Sequence, residues 1–141
     1  MSVSVTVVVP AAPDEAWARW SDVASWPDWN PVCEQATITG PPVAGTPLDL
    51  RLRHPRGHVF ITRPKVAEAI PGRAFAWEAR GLGLRARTTT RFSREPDGTR
   101  VVLFAETTGL LAFTYRMTMT DGTIARMYTD MLDALVDDLR P

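Results

Sequence analysis

The chain is short of the residues that staple or metallate small proteins. Its 141 residues include one cysteine, Cys33, which excludes an internal disulfide. Only His54 and His58 stand beside it as soft metal ligands, so no zinc-binding spacing can be built and no metal is expected. Cys33 itself reads as a small buried or half-buried apolar residue. Net charge is also missing: 16 acidic residues match 16 basic ones, which removes any global electrostatic case for nucleic acid or an anionic membrane. No apolar run is long enough to span a bilayer, and Met-Ser-Val-Ser at the start lacks the basic region and long apolar stretch of a signal peptide. The expectation is a cytoplasmic chain with no membrane insertion. No P-loop or dinucleotide glycine pattern occurs, so no nucleotide or other cofactor is expected. No repeat, low-complexity tract or linker divides the chain, and residues 1–141 are read as one domain.

What the sequence has is a strong helical period at its end. Ile124, Met127, Tyr128, Met131, Leu132, Leu135, Val136 and Leu139 recur at the i, i+3, i+4, i+7 spacing that puts them on one side of an α-helix. Arg126, Asp130, Asp133, Asp137 and Asp138 take the other side. Thr120 or Asp121 can cap the first turn, and Pro141 ends the chain. Such a helix is roughly 28 Å long, and its apolar stripe must be covered.

Ahead of it, valine-rich Ser2 to Val9 reads as a strand closed by Pro10 and Pro13. Pro13 to Trp20 reads as a short helix, with proline at its first position and Asp14 and Glu15 in its first turn. A second short turn or helix runs through Val23, Trp26 and Trp29 to Asn30-Pro31. Four tryptophans between positions 17 and 29 are too heavy an apolar load for such short helices alone, so they must press on a larger element. Six further strands are predicted near Glu34–Thr39, Thr46–His54, His58–Ile70, Ala74–Arg80, Leu84–Ser93 and Arg100–Thr108. Their connections are too short for parallel crossovers, so neighbours must be antiparallel. Leu110 to Met119 admits two readings: a strand extension, favoured by alternating Phe113, Tyr115, Met117 and Met119, or a short helical turn.

Alternation assigns the faces. Leu48, Leu50 and Leu52 oppose Asp49, Arg51 and Arg53, while Phe75 and Trp77 oppose Glu78 and Arg80. Ala86, Thr88, Thr90 and Phe92 oppose Arg85, Arg87 and Arg91, which sends most arginines to solvent. Several polar residues fall in phase with apolar ones: His54 after Leu52, Arg63 after Val59 and Ile61, Glu106 after Val102 and Phe104, and Thr88 and Thr90 between Ala86 and Phe92. If those phases hold, these groups point to the covered side and must pair, bond or face a cavity. Glu106 is solvated instead if Leu103 and Ala105 form the inward set, and a bulge at Pro64 would turn Arg63 outward.

The order strand, two short helices, six strands, long helix resembles the helix-grip fold of the START-like, Bet v 1-like (SRPBCC) superfamily. Within it the chain resembles the small bacterial polyketide cyclase/dehydrase-like proteins. The residues that carry this are Ala16-Trp17, Trp20-Ser21-Asp22-Val23 and Trp26-Pro27-Asp28-Trp29-Asn30-Pro31, supported by Phe60 to Val66, Pro71 to Trp77, Gly98 to Val101 and Gly109-Leu110-Leu111. The resemblance implies an α+β fold in which a curved seven-stranded antiparallel sheet grips the C-terminal helix around an apolar cavity. It implies a hydrophobic small-molecule ligand or substrate, in a monomer or homodimer.

Two functions follow as expectations. A binding module would line its cavity with Trp29, Leu50, Leu52, Trp77, Thr88, Thr90, Phe92, Phe104, Met127, Tyr128 and Met131. A polyketide cyclase-, aromatase- or dehydratase-type enzyme would use Arg63 or Tyr115 to stabilise an enolate or phenolate oxygen and Glu106 or His54 to move the proton.

Overall fold

The computed structural model describes residues 2–81, 83–112 and 119–141. Strand β1 (Ser2–Val9) leads into α1 (Pro13–Ser21), a 3-10 turn (Val23–Ser25) and α2 (Trp26–Trp29). Strands β2 (Cys33–Ile38), β3 (Leu48–Arg53), β4 (Val59–Thr62), β5 (Lys65–Ile70), β6 (Ala74–Gly81), β7 (Leu84–Glu95) and β8 (Gly98–Thr108) follow, and α3 (Asp121–Asp138) closes the chain. Every strand pair is antiparallel. The strands form a five-stranded sheet, β1-β8-β7-β6-β5, and a three-stranded sheet, β2-β3-β4.

Eight strands in two sheets correct the expected seven in one. The stretch from His58 to Ile70 is two strands because Arg63-Pro64 breaks it, and proline has no N–H to give to a ladder. The break is a corner rather than a gap. The Leu48 N–H donates to the Pro64 carbonyl at 2.8 Å and the Val66 N–H to that of Thr46 at 2.9 Å, so the start of β3 also touches the start of β5. A second correction concerns the segment after β8. Gly109 turns the backbone at φ 108°, and the Ala112 N–H donates to its carbonyl at 3.2 Å, so the strand does not run on through these residues. A side chain there would come within 2.5 Å of the Gly83 carbonyl oxygen, which reserves the position for glycine. The expected alternation from Phe113 to Met117 lies outside the described residues.

The α3 stripe is buried as its period requires: Ile124, Met127, Tyr128, Met131, Leu132 and Leu135 all face the core. The Thr120 hydroxyl accepts from the Thr123 N–H at 3.2 Å, making Thr120 the N-cap. The helix lies closest to β1, and Arg19 of α1 pairs with Asp138 at 3.0 Å, holding its far end. Trp20 and Trp26 are fully buried, with ring centroids 4.9 Å apart, and the Trp26 indole N–H donates to the Trp20 carbonyl at 2.8 Å. The Trp17 indole N–H donates to the Ala74 carbonyl at 2.7 Å. The tryptophan-rich phrase thus locks α1 and α2 onto β6, where the ring of Trp77 stands 5.5 Å from that of Trp26.

Candidate functional site

Two volumes open between the sheets and α3, and Met127 borders both. The larger is a cleft of about 880 Å³ between α3, the β3–β4 turn and the exit of α2. Trp29, Val32, His54 and Met127 line it from the apolar side, with Ala134 on the helix. Arg126, Asp130, Asp133 and Asp137 form its helical wall and Arg53 stands at the opposite edge. The smaller is an inner cavity of about 60 Å³, room for about two waters. Its walls include Leu52, Phe60, Trp77, Met119, Ile124 and Met127, and its polar groups are the hydroxyls of Thr62, Thr88, Thr107 and Tyr128, with Arg87 and Glu106 at the rim.

The hydroxyls in this cavity are placed by strand alternation and helix period together. Thr88 is buried on β7 directly across from Trp77, and the Tyr128 ring packs 6.5 Å from Trp77. The Tyr128 hydroxyl and Thr88 Oγ1 lie 3.0 Å apart, a hydrogen bond from helix to sheet in which either group can donate. Two rings and one hydroxyl pair therefore fix this end of the pocket.

His54 closes β3 at the cleft. It is only 5% exposed, stacks on His58 with centroids 4.2 Å apart, and its Nδ1 accepts the Arg56 N–H at 3.1 Å. With Nδ1 occupied as an acceptor, the imidazole proton sits on Nε2. Among the described residues Asp130 and Asp133 form no ion pair, whereas Asp137 meets Arg140 at 3.2 Å and Asp138 meets Arg19. No group of three His, Cys, Asp or Glu residues suited to a metal occurs among the described residues. Cys33 lies apart in β2, and burial pushes its thiol up to about 11.

The structure gathers part of the expected set. Leu52, Trp77, Thr88, Met127 and Tyr128 meet at the inner cavity, and Trp29 and His54 at the cleft. Leu50, Thr90, Phe92 and Met131 are buried in the core and border neither volume. Tyr115 lies outside the described residues. The phase of three residues needs correction. Val59 and Ile61 are 38% and 49% exposed and Phe104 39%, so Phe60 with Thr62, and Leu103 with Ala105, form the inward sets. Phe104 accordingly faces outward beside Val102 and Thr89. Arg63 lies on the outer surface, its Nε 3.2 Å from Asp49 Oδ2. Glu106 shares the phase of Phe104, opposite Arg87, and both border the rim of the inner cavity.

Reading the sequence missed Phe60, Thr62, Thr107 and the acidic wall. Phe60 and Thr62 were findable from phase alone once Pro64 was taken as a strand end. The aspartates gave no signal beyond a polar helix face, because nothing in a helical period says which part of that face overlooks a cleft.

No helix among the described residues is long and apolar enough to cross a membrane. None of the curated proteins matches the sequence. Among solved structures, the Zhui aromatase/cyclase from Streptomyces sp. R1128 is similar with a TM-score of 0.80 at 18% identity, covering 99% of this chain and 93% of its own. Major latex-like protein 151 from Panax ginseng is similar with a TM-score of 0.83 at 7% identity, over 100% of this chain and 98% of its own. The di-domain ARO/CYC protein BexL, from the BE-7585A biosynthetic pathway, gives 0.81 at 16% identity over 100% of this chain and 51% of its own. The chain spans about half the length of this and a second di-domain protein, StfQ of the steffimycin pathway. At these identities the likeness shows the helix-grip fold. The family model described as polyketide cyclase / dehydrase and lipid transport matches residues 1–140, and the chain belongs to that family.

Proposed function

We propose that this chain is a single START-like domain that binds one hydrophobic small molecule, polyketide-, lipid- or aromatic-like, in the cleft between α3 and the β3–β4 turn. The observation that carries this is the cleft's size and lining: about 880 Å³, with Trp29, Val32 and Met127 on its apolar side and a few polar groups, His54 foremost, at fixed positions. Ligand sites for small molecules typically enclose about 300 to 1,000 Å³ with such a lining. The inner cavity, at about 60 Å³, is too small for a ring system and serves as an extension that Met127 can open by changing rotamer. The test is binding of the apolar fluorophore N-phenyl-1-naphthylamine, followed by fluorescence and calorimetry, in the wild type and in Ala134→Trp. The expected result is saturable one-to-one binding that the tryptophan blocks while the melting transition survives. Binding that is absent, or unchanged in Ala134→Trp, contradicts the reading.

A second reading, a polyketide cyclase-, aromatase- or dehydratase-type enzyme, is favoured by the Tyr128–Thr88 hydroxyl pair and by His54. In it a hydroxyl of the pair holds a developing enolate oxygen, and His54 or Glu106 moves the proton. Arg63, turned outward, has no part in this version. Glu106→Leu and His54→Asn, made separately, then identify the proton carrier as the residue whose loss abolishes turnover, whereas a pure carrier shows no turnover to lose.

A further inference from the structure

His54 is the one side chain in the cleft that is almost wholly buried, ionisable and left with an unused bonding group. Its Nδ1 accepts the Arg56 N–H, which leaves the ring proton on Nε2. Nε2–H has no protein acceptor among the described residues, although the residue is 5% exposed and lines the cleft. Nε2 is not sealed off from the cleft, so an acceptor atom delivered there can take the place of water as its partner. Elsewhere in the cleft lining, Asp130 and Asp133 have no ion-pair partner among the described residues, and Arg126 is the one guanidinium there without such a partner, since Arg53 lies 3.6 Å from Glu34. The unpaired charge of the walls is therefore negative.

Resting on the binding function given above, we propose that the cleft takes an uncharged ring compound bearing a carbonyl or hydroxyl oxygen, anchored by a hydrogen bond from His54 Nε2–H, and disfavours carboxylates. The ring lies against Trp29 and Met127, and its oxygen reaches inward to His54. A fatty acid or aryl carboxylate could also accept from His54, but its charge would sit beside Asp130 and Asp133. His54, not Arg63, is then the residue that reads the ligand's oxygen.

The experiment compares 2-naphthol with 2-naphthoate, one ring system with and without a negative charge, by calorimetry at neutral pH and low ionic strength. Wild-type protein should prefer 2-naphthol by about three- to tenfold, a preference that shrinks in added salt because the carboxylates are exposed. Asp130→Asn with Asp133→Asn should remove most of that preference. His54→Asn places an amide oxygen where Nδ1 accepts and has nothing at Nε2, so it should keep the turn and weaken 2-naphthol about five- to tenfold. His54→Gln, which restores a donor near the Nε2 position, should bind it more tightly than His54→Asn. Equal or tighter binding of 2-naphthoate, or a preference unchanged by the asparagines, overturns the charge selection. Equal affinity of His54→Asn and wild type for 2-naphthol overturns the anchor. If neither compound binds while N-phenyl-1-naphthylamine does, this inference fails and the binding function stands; if none of the three binds, both fail.

Discussion

The Tyr128 hydroxyl stands 3.0 Å from Thr88 Oγ1, joining the middle of α3 to β7 where the sheet faces the inner cavity. Both residues are buried, so the bond forms out of reach of bulk water. Thr88→Val keeps the shape and deletes one partner. It should cost about 1 kcal/mol in denaturant melts, and the cycle with Tyr128→Phe should show a coupling of similar size. Additive single effects would mean that the pair contributes nothing as a pair.

Leu132 tests the grip itself. It is fully buried at the centre of the α3 stripe, where a carboxylate would meet only apolar neighbours. Leu132→Asp should lose more than about 4 kcal/mol and leave an insoluble or non-cooperatively melting chain by circular dichroism. A soluble variant with a sharp transition would contradict the central placement of α3.

Most of this architecture could be read from the residues before any coordinates. The α3 stripe and the alternation of Leu48, Leu50 and Leu52 follow from periods of 3.6 and 2, which report burial directly, whereas the choice of Thr120 over Asp121 as N-cap needed the structure. The errors share one origin. Val59, Ile61, Val102 and Phe104 are apolar, and a phase chosen by apolarity alone put them inside; the true phase in β8 is set by Val101 and Leu103, which are fully buried. Where both faces of a strand carry apolar residues, alternation cannot choose between them; Arg63 inherited the wrong side, and Glu106 reaches the inner cavity only at its rim. The site was less legible than the fold because a cleft is made by elements distant in sequence. Nothing around His54 alone says that Asp130 and Trp29 share its cleft.

Cys33 should be silent in the native state. Burial raises its thiol to about 11, so at pH 8 about one molecule in a thousand carries a thiolate. Labelling with a disulfide reagent such as 5,5′-dithiobis(2-nitrobenzoate) should be slow at pH 8 and become immediate in denaturant. Rapid native labelling would place the sulfur at the surface.

Glu78 supplies a pH signature on the outer face. Burial works to raise its pKa, but hydrogen bonds from Arg85 and Arg80 outweigh this and hold the carboxyl below its ordinary value. A carboxyl depressed in the folded state adds stability above its unfolded pKa, and that stability is lost as the pH falls through the folded one. Glu78→Gln should therefore destabilise modestly at neutral pH, with the gap to wild type closing in acid below the ordinary glutamate range of about 4.3. A gap that persists or widens in acid would show that the arginine pairs are not its source.

The central claim is that ligand enters beside Met127. Met127 borders both the cleft and the inner cavity, whereas Met131, one turn further along α3, is fully buried and borders neither. Methyl-labelled methionine NMR during titration with N-phenyl-1-naphthylamine separates the two. The account predicts a large, saturable shift of the Met127 methyl with the Met131 methyl little moved. Saturable binding that leaves Met127 in place would contradict it.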